Sequence, residues 1–236
     1  MTDVMPTPFV PKFGLRERLE QADRLTSTEP LPQFEIQYHA ALTDQACPDD
    51  PTIRENLSLI VVANVATDLD QFDSTLHFDN CTFALGVKRI ADLWQLIESP
   101  FEVNQYVSFG TMIHTVQDFY AHSNWVELHE DVSPIPVWDL DLSSLPAGIV
   151  SGTFLLDSPK LCGPGAPTHA QLNKDSPSSE EGSKVVESGP NKGQTLFNLA
   201  FAVALQATRV QFDQLVAVVT CSSLKASPQQ NGADVA

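Results

Sequence analysis

Apolar positions recur at helical spacing along most of the chain. Gln33 to Ala46 reads as a first core helix. Asp49, Asp50 and Pro51 supply capping and first-turn chemistry for a second, which runs to about Phe72. Its apolar row is Leu57, Val61, Val65 and Leu69. Leu57, Val61, Asn64 and Asp68 step by four, three and four, so Asn64 and Asp68 fall in line with an apolar stripe. A third helix spans Phe83 to about Ile97 and stops near Ser99-Pro100, because the residue before a proline disfavours helical dihedrals. A fourth spans Phe101 to about His122. Val103, Tyr106, Val107, Phe109, Met112, Ile113, Val116, Phe119 and Tyr120 put apolar groups on nearly every side of it. Such a helix belongs in the middle of a bundle. A fifth runs from about Gln194 to Thr220, and the expected fold is an all-α helical bundle.

Between the fourth and fifth helices the texture changes. Eight of the 17 prolines lie between Pro134 and Pro190, with most of the glycines. Residues 133–192 therefore read as a long connection or lid inside a helical domain, 33–221. Ile149 to Leu156, with Ser151-Gly152 inside it, is a candidate β-hairpin. Asp175 to Gly189 reads as polar and mobile. Residues 1–32 read as an arm holding one short helical stretch, Leu15 to Leu25, and 222–236 as a disordered tail.

Charge narrows the function. Lys and Arg number 13 against 30 Asp and Glu, a formal net charge of −17. That argues against nucleic acid as a partner and against a polybasic membrane patch. The first residues lack the plan of a signal peptide, and no stretch reaches the roughly 18–20 apolar residues of a membrane span. A cytoplasmic location is the expectation, with leaderless export or membrane association as the alternative. Cys47, Cys81, Cys162 and Cys221 are neither a disulfide scaffold nor spaced as zinc thiolates. Cys47 and Cys81 become neighbours if the turns before the second and third helices adjoin. Cys162-Gly163-Pro164-Gly165 reads as a tight turn leading to His169.

The sharpest chemistry is His114-Thr-Val-Gln-Asp118-Phe-Tyr-Ala-His122. Residues four apart share a helix face, about 6 Å apart along the axis. His114 with Asp118, and Asp118 with His122, can each grip an ion, and Asp118 would bridge the two. Imidazole and carboxylate suit zinc. The competing reading is a set of polar core groups satisfied by hydrogen bonds. Three ionisable groups on one face of the most apolar helix are costly to bury unpaired, by several kcal/mol. His39, the Asn64/Asp68 pair, His77-Phe-Asp79 and His169 add similar groups from other elements, as metal sites in bundle cores do.

Gly110-Thr-Met-Ile-His114-Thr-Val-Gln-Asp118-Phe-Tyr-Ala-His122-Ser-Asn-Trp125 resembles the signature of the Het-C family, known from fungal heterokaryon incompatibility and bacterial relatives. His77-Phe-Asp79-Asn-Cys-Thr-Phe83, His169-Ala-Gln-Leu-Asn173-Lys-Asp175 and the helix around Ala207-Thr208 look like that family's other blocks. That family is distantly similar to the zinc-dependent phospholipases C and the fungal single-strand nucleases. The resemblance implies a helical bundle of the phospholipase C type. It implies metal ligands at His39, Asp68, His77, Asp79, His114, Asp118, His122, His169 and Asp175, with Asp68 and Asp118 catalytic. Three departures stand out. The spacing between Asp118 and His122 is three residues rather than five. His169 and Asp175 are further apart than the enzymes' last pair. Met1 stands where those enzymes have a processed tryptophan that binds a third ion. Two zinc ions are therefore expected, and a third is left open.

The implied activity is a zinc-dependent phosphodiester hydrolase of phospholipase C type, acting on membranes as a cytotoxic or cell-death protein. Between Arg89 and Lys160 there is no Lys or Arg but there are ten Asp or Glu. Metal would then supply the positive charge, which favours a phospholipid over a polyanion. The alternative is a non-enzymatic, metal-stabilised membrane-active toxin or recognition module. Its candidate membrane contact is the face carrying Leu196, Phe197, Phe201 and Leu205, for which core packing is the stronger explanation. Either reading allows a cognate regulator or immunity protein.

Overall fold

The computed structural model describes residues 36–99, 104–154 and 159–226, the last six by backbone alone. The arm, its helical stretch Leu15 to Leu25 and the tail beyond residue 226 lie outside the described residues. Eight helices follow: α1 Ile36–Ala46, α2 Pro51–Thr67, α3 Ser74–His77, α4 Phe83–Ile97, α5 Gln105–His122, α6 Trp125–Leu128, α7 His169–Leu172 and α8 Leu196–Ala226. The fold is an all-α bundle, as the periodicity predicts.

Helix α5 is its axis. It packs against α2, α4 and α8, while α1 lies against α2 and α8. From Phe109 to His122 every residue but Thr111 is buried. One side of α5 is aromatic: Phe119 stacks on Trp138 at 4.4 Å and meets Phe78 and Trp125 edge-on or tilted at 5.4 Å. The other side carries His114, Gln117, Asp118 and His122. Gly110 lets α2 come close, because a Cβ there would run into the Ile60 carbonyl and the Ala63 side chain. Asp50 caps α2 by accepting from the Thr52 and Ile53 amides at 2.9 and 3.0 Å, with Pro51 opening the helix.

The apolar row expected on α2 is displaced. Ile53, Ile60, Ala63, Asn64 and Thr67 face the core. Leu57, Val61 and Val65 are half-buried and Leu69 is 45% exposed. The core beside α2 is polar, so its inner stripe takes Asn64 and Thr67. Apolar side chains are left outside, Val62 being 64% exposed.

The connection after α6 also departs from expectation. Residues 149–154 form no hairpin. Ser151 bridges Ser123 antiparallel and Thr153 bridges Thr168 in parallel. Gly152 donates to the His122 carbonyl and accepts from the Asn80 amide, so this strand is shared with the helix ends rather than folded on itself. In the Asp175 to Gly189 stretch Asp175, Ser176, Glu181 and Val186 are buried and anchor a segment that is otherwise largely exposed. Ile135 and Trp138 join the core. Leu196 and Phe197 of α8 are buried, and Phe201 and Leu205 pack on the same core, which uses up the face considered for membrane contact. No described helix is long and apolar enough to cross a membrane.

Candidate metal centre

All nine histidines and aspartates singled out from the sequence converge. None is more than 5% exposed. They form two adjoining groups.

The first stands on helices. His39 comes from α1, Asp68 caps the end of α2, His77 ends α3, and His114 and Asp118 lie one turn apart on α5. Asp118 is the hub. Its Oδ2 is 2.8 Å from His77 Nδ1 and 2.9 Å from His114 Nε2, and its Oδ1 is 3.2 Å from His39 Nε2. Asp68 faces the same point, 3.6 Å from His114 Nε2 and 3.9 Å from His39 Nε2.

The second stands mostly on turns. Asp79 follows Phe78 in a tight 3-10 turn, His122 ends α5, His169 opens α7 and Asp175 lies just beyond it. His122 Nε2 is 2.9 Å from Asp175 Oδ1. His169 lies between Asp79 at 2.9 Å and Asp175 at 3.1 Å. The turn needs outside support, because Phe78, Asn80 and Cys81 all have positive φ, 56°, 54° and 58°. Each costs about 1–2 kcal/mol for a residue with a Cβ. Phe78 offsets this by filling the core at 0% exposure, and Asn80 by bonding Phe154 and Gly152. Cys81 is joined to Cys162 by a disulfide with Cα atoms 5.0 Å apart. Cys47 is buried and free. His169 is carried by a capping box: Thr168 Oγ1 accepts from the Gln171 amide while the Gln171 side chain accepts from the Thr168 amide. Gly152 passes so close to His169 that an added Cβ would sit 2.6 Å from its Cα. Lys174, fully buried, donates to the Ser123 and Leu172 carbonyls and to Glu127 at 2.8, 3.0 and 2.9 Å, tying the loop to the end of α5.

Asp118 and His122 do not share a site. The helix turns His122 toward Asp175 and Asp79, and Asp118 is approached instead by histidines from α1, α3 and α5. The groups meet at His77, whose ring lies 5.1 Å from that of His114 and 6.3 Å from that of His122.

The outer nitrogens of four histidines meet carbonyl oxygens. His39 Nδ1 lies 2.7 Å from Gln117 Oε1, and His114 Nδ1 lies 3.1 Å from Asn64 Oδ1. His77 Nε2 lies 3.2 Å from the Asp70 carbonyl, and His122 Nδ1 lies 2.9 Å from the carbonyl of His77. Carbonyl oxygens only accept, so these nitrogens donate and the opposite nitrogens face the carboxylates with lone pairs. Lone pair against carboxylate is stable only with a proton or a cation between them. Without a metal, protons fill that role at His39, His77 and His122. Burial lowers the His39 and His77 pKa, but Asp118 and Asp68 more than offset it, raising them to about 9 and about 10. Burial likewise opposes ionisation of His122 and His169, and Asp175 and Asp79 raise both. His114 stays low, since burial and the His39 charge prevail. Asp118 is held well below its usual range, against burial, chiefly by His114, His122 and His39.

The donor set fits divalent metal. Donor atoms of His39, Asp68 and His114, of His77, His114 and Asp118, and of Asp79, His122 and His169 each lie within 4.8 Å of one another. Asp68 Oδ2 and Asp118 Oδ1 are buried and face His39 Nε2 at 3.9 and 3.2 Å, so each needs either a proton on that nitrogen or a metal cation beside it. Carbonyl-anchored histidines are the usual partners of metal. Gln117, Thr43, Thr208 and Lys174 were missed as contributors. Gln117 stood inside the motif, and its place one residue before Asp118 was the available signal.

Residues 36–136 match the family model of the VWA7 N-terminal domain, less than half of the chain. The matched stretch holds seven of the nine residues and ends before His169 and Asp175. No curated protein and no solved structure matches.

Proposed function

We propose that the chain is a zinc-dependent phosphodiester hydrolase of phospholipase C type, acting on phospholipid membranes as a cytotoxic or cell-death protein. The observation that carries this is the meeting of two His/Asp groups at His77. Two divalent cations match the charge of the four carboxylates and leave the imidazoles neutral, as ligands must be. Zinc, when bound, supplies positive charge for a phosphoryl oxygen and lowers the pKa of water toward 7. The chain's own part is to fix ligand orientation through Gln117, Asn64 and the Asp70 and His77 carbonyls, and to keep the site dry. The choice of zinc and of phospholipid comes from the likeness of the His114 to His122 motif to Het-C proteins and from the run without Lys or Arg. The Cys81–Cys162 disulfide supports an oxidising compartment, and so export, over the cytoplasm.

A second reading is a metal-stabilised, non-enzymatic membrane-active or recognition module. The near-complete burial of all nine ligands favours it, because substrate must reach a metal that acts on it. One experiment separates the two. Protein prepared without chelator is analysed for zinc, then given neutral phosphatidylcholine vesicles. Head-group release that Asp118→Ala abolishes supports the hydrolase. Leakage without hydrolysis supports the module. Absence of metal ends both.

A further inference from the structure

The polar network behind His39 and His114 joins four helices and contains no ionised group. Thr43 Oγ1 donates to the His39 carbonyl on α1, and Thr208 Oγ1 donates to the Ala204 carbonyl on α8, both at 2.8 Å. Each threonine proton is thereby committed to its own helix, and each hydroxyl can only accept from elsewhere. That fixes the amides. Asn64 Nδ2 donates to Thr43 at 2.8 Å, and Gln117 Nε2 donates to Thr208 at 3.2 Å and reaches Thr43 at 3.5 Å. Their oxygens must then point the other way. Gln117 Oε1 accepts from Asn64 Nδ2 at 3.0 Å and from His39 Nδ1 at 2.7 Å, and Asn64 Oδ1 accepts from His114 Nδ1 at 3.1 Å. Every donor in the chain of bonds runs outward from the imidazoles. Thr43, Asn64, His114, Gln117 and Thr208 are all 0% exposed, so water does not interrupt it.

We infer that Gln117 is a positioning residue that sets the tautomer of His39 and, through Asn64, of His114, so that both present Nε2 as a bare donor to metal. Thr43 and Thr208 set its direction. The inference rests on the metal reading above and adds what selects the ligand atoms. It also gives α8, which supplies none of the nine ligands, a stake in the centre through Thr208.

The test uses the full chain, zinc and a chromophoric competitor. Gln117→Met removes both hydrogen-bonding ends at similar length. It is expected to weaken zinc binding about 10–100-fold, the usual loss for such partners. Gln117→Glu keeps an acceptor for His39 Nδ1 and is expected to restore binding to within a few fold of wild type. A residue that merely filled space would give the opposite order, since methionine suits a core better than glutamate. Long-range proton–nitrogen correlation spectra of the zinc-loaded wild type give a second readout that does not require a folded variant. His39 and His114 are expected to carry the proton on Nδ1. A proton on Nε2 of either, or full affinity in Gln117→Met, overturns the inference. Wild type that takes up no zinc overturns the metal reading itself, a result distinct from uptake that ignores Gln117.

Discussion

Asp118, His39 and His114 stand on helices that the bundle would form for other reasons, and His77 ends the short α3, which packs against α5. Asp79, His169 and Asp175 stand on turns that need special support: a disulfide at Cys81–Cys162, three left-handed residues, a four-residue helix and a buried lysine. The ligand types are the same. The helix-borne ligands lose little extra freedom on binding metal, because packing of α1, α2 and α5 already orders them. The turn-borne ligands depend on local links, each of which can be cut without unfolding the bundle. The second group should therefore be the easier one to lose.

The largest effect is expected at the hub. Asp118→Ala leaves His39, His77 and His114 facing each other with Asp68 alone. It should abolish zinc uptake by the helix-borne group and cost the metal-free protein about 3–5 kcal/mol. Zinc content and thermal unfolding measure both. Retention of part of the zinc, held by Asp79, His122 and His169, would show that the groups load separately. Loss of all of it would make them one cluster.

Cutting the disulfide comes next. Cys81→Ser with Cys162→Ser should lower stability by about 2–5 kcal/mol, since the bond closes a long loop. Zinc at the turn-borne group should weaken while the helix-borne group keeps its affinity. Equal weakening of both would mean that the turns are ordered by the bundle and not by the disulfide.

The same contrast explains what the sequence revealed. Helices α1, α2, α4, α5 and α8 announce themselves by apolar spacing, and the centrality of α5 follows from its apolar residues on every side. His114 and Asp118 were legible as a pair because a helix fixes their relation. The mistaken pairing of Asp118 with His122 used the same rule, which knows only one helix and not what faces it. His77-Phe-Asp79 and His169 stand out in the sequence only as isolated metal-type side chains, and Asp175 only through the family likeness, because no periodicity governs the turns that carry Asp79, His169 and Asp175. Cys81 and Cys162 are 81 residues apart, and nothing local specifies their pairing. On α2 the inward place of Asn64 and Asp68 is legible in the spacing, while the row Leu57, Val61, Val65 and Leu69 gives way to Ile53, Ile60 and Ala63 because part of the core there is polar.

Acid and base should act on the metal-free protein in a defined window. His39 and His77 have folded pKa values raised to about 9 and about 10 from 6.5. Their contribution is therefore complete below about pH 6.5 and is lost as pH rises through 9 to 10. The groups facing them are Asp68, Asp79 and Asp118 with His114. Asp118 and Asp175, both depressed, contribute above the ordinary carboxylate range and lose that contribution only as pH falls below it. Metal-free protein should thus melt at progressively lower temperature between pH 6.5 and 10. Zinc affinity should rise over the same interval, because protons cease to compete. Parallel trends with and without zinc would mean that metal does not replace those protons.

The smallest effects make the most discriminating pair. Asp50 caps α2, a helix of 17 residues, and Thr168 caps α7, a helix of four. Replacing either with alanine removes an acceptor for one or two amides and costs about 1 kcal/mol. In α2 the damage lies four turns from Asp68, and packing along α5 holds the rest of the helix, so Asp50→Ala should lower the melting temperature and leave zinc affinity unchanged. In α7 the capped turn is the whole element and its first residue is His169. Thr168→Ala should convert the same free energy into zinc affinity, about fivefold by the usual relation between the two, at the turn-borne group alone. Equal zinc affinity in both variants would mean that His169 is held by Asp79 and Asp175 rather than by its helix, and that the turns are as firmly ordered as the bundle.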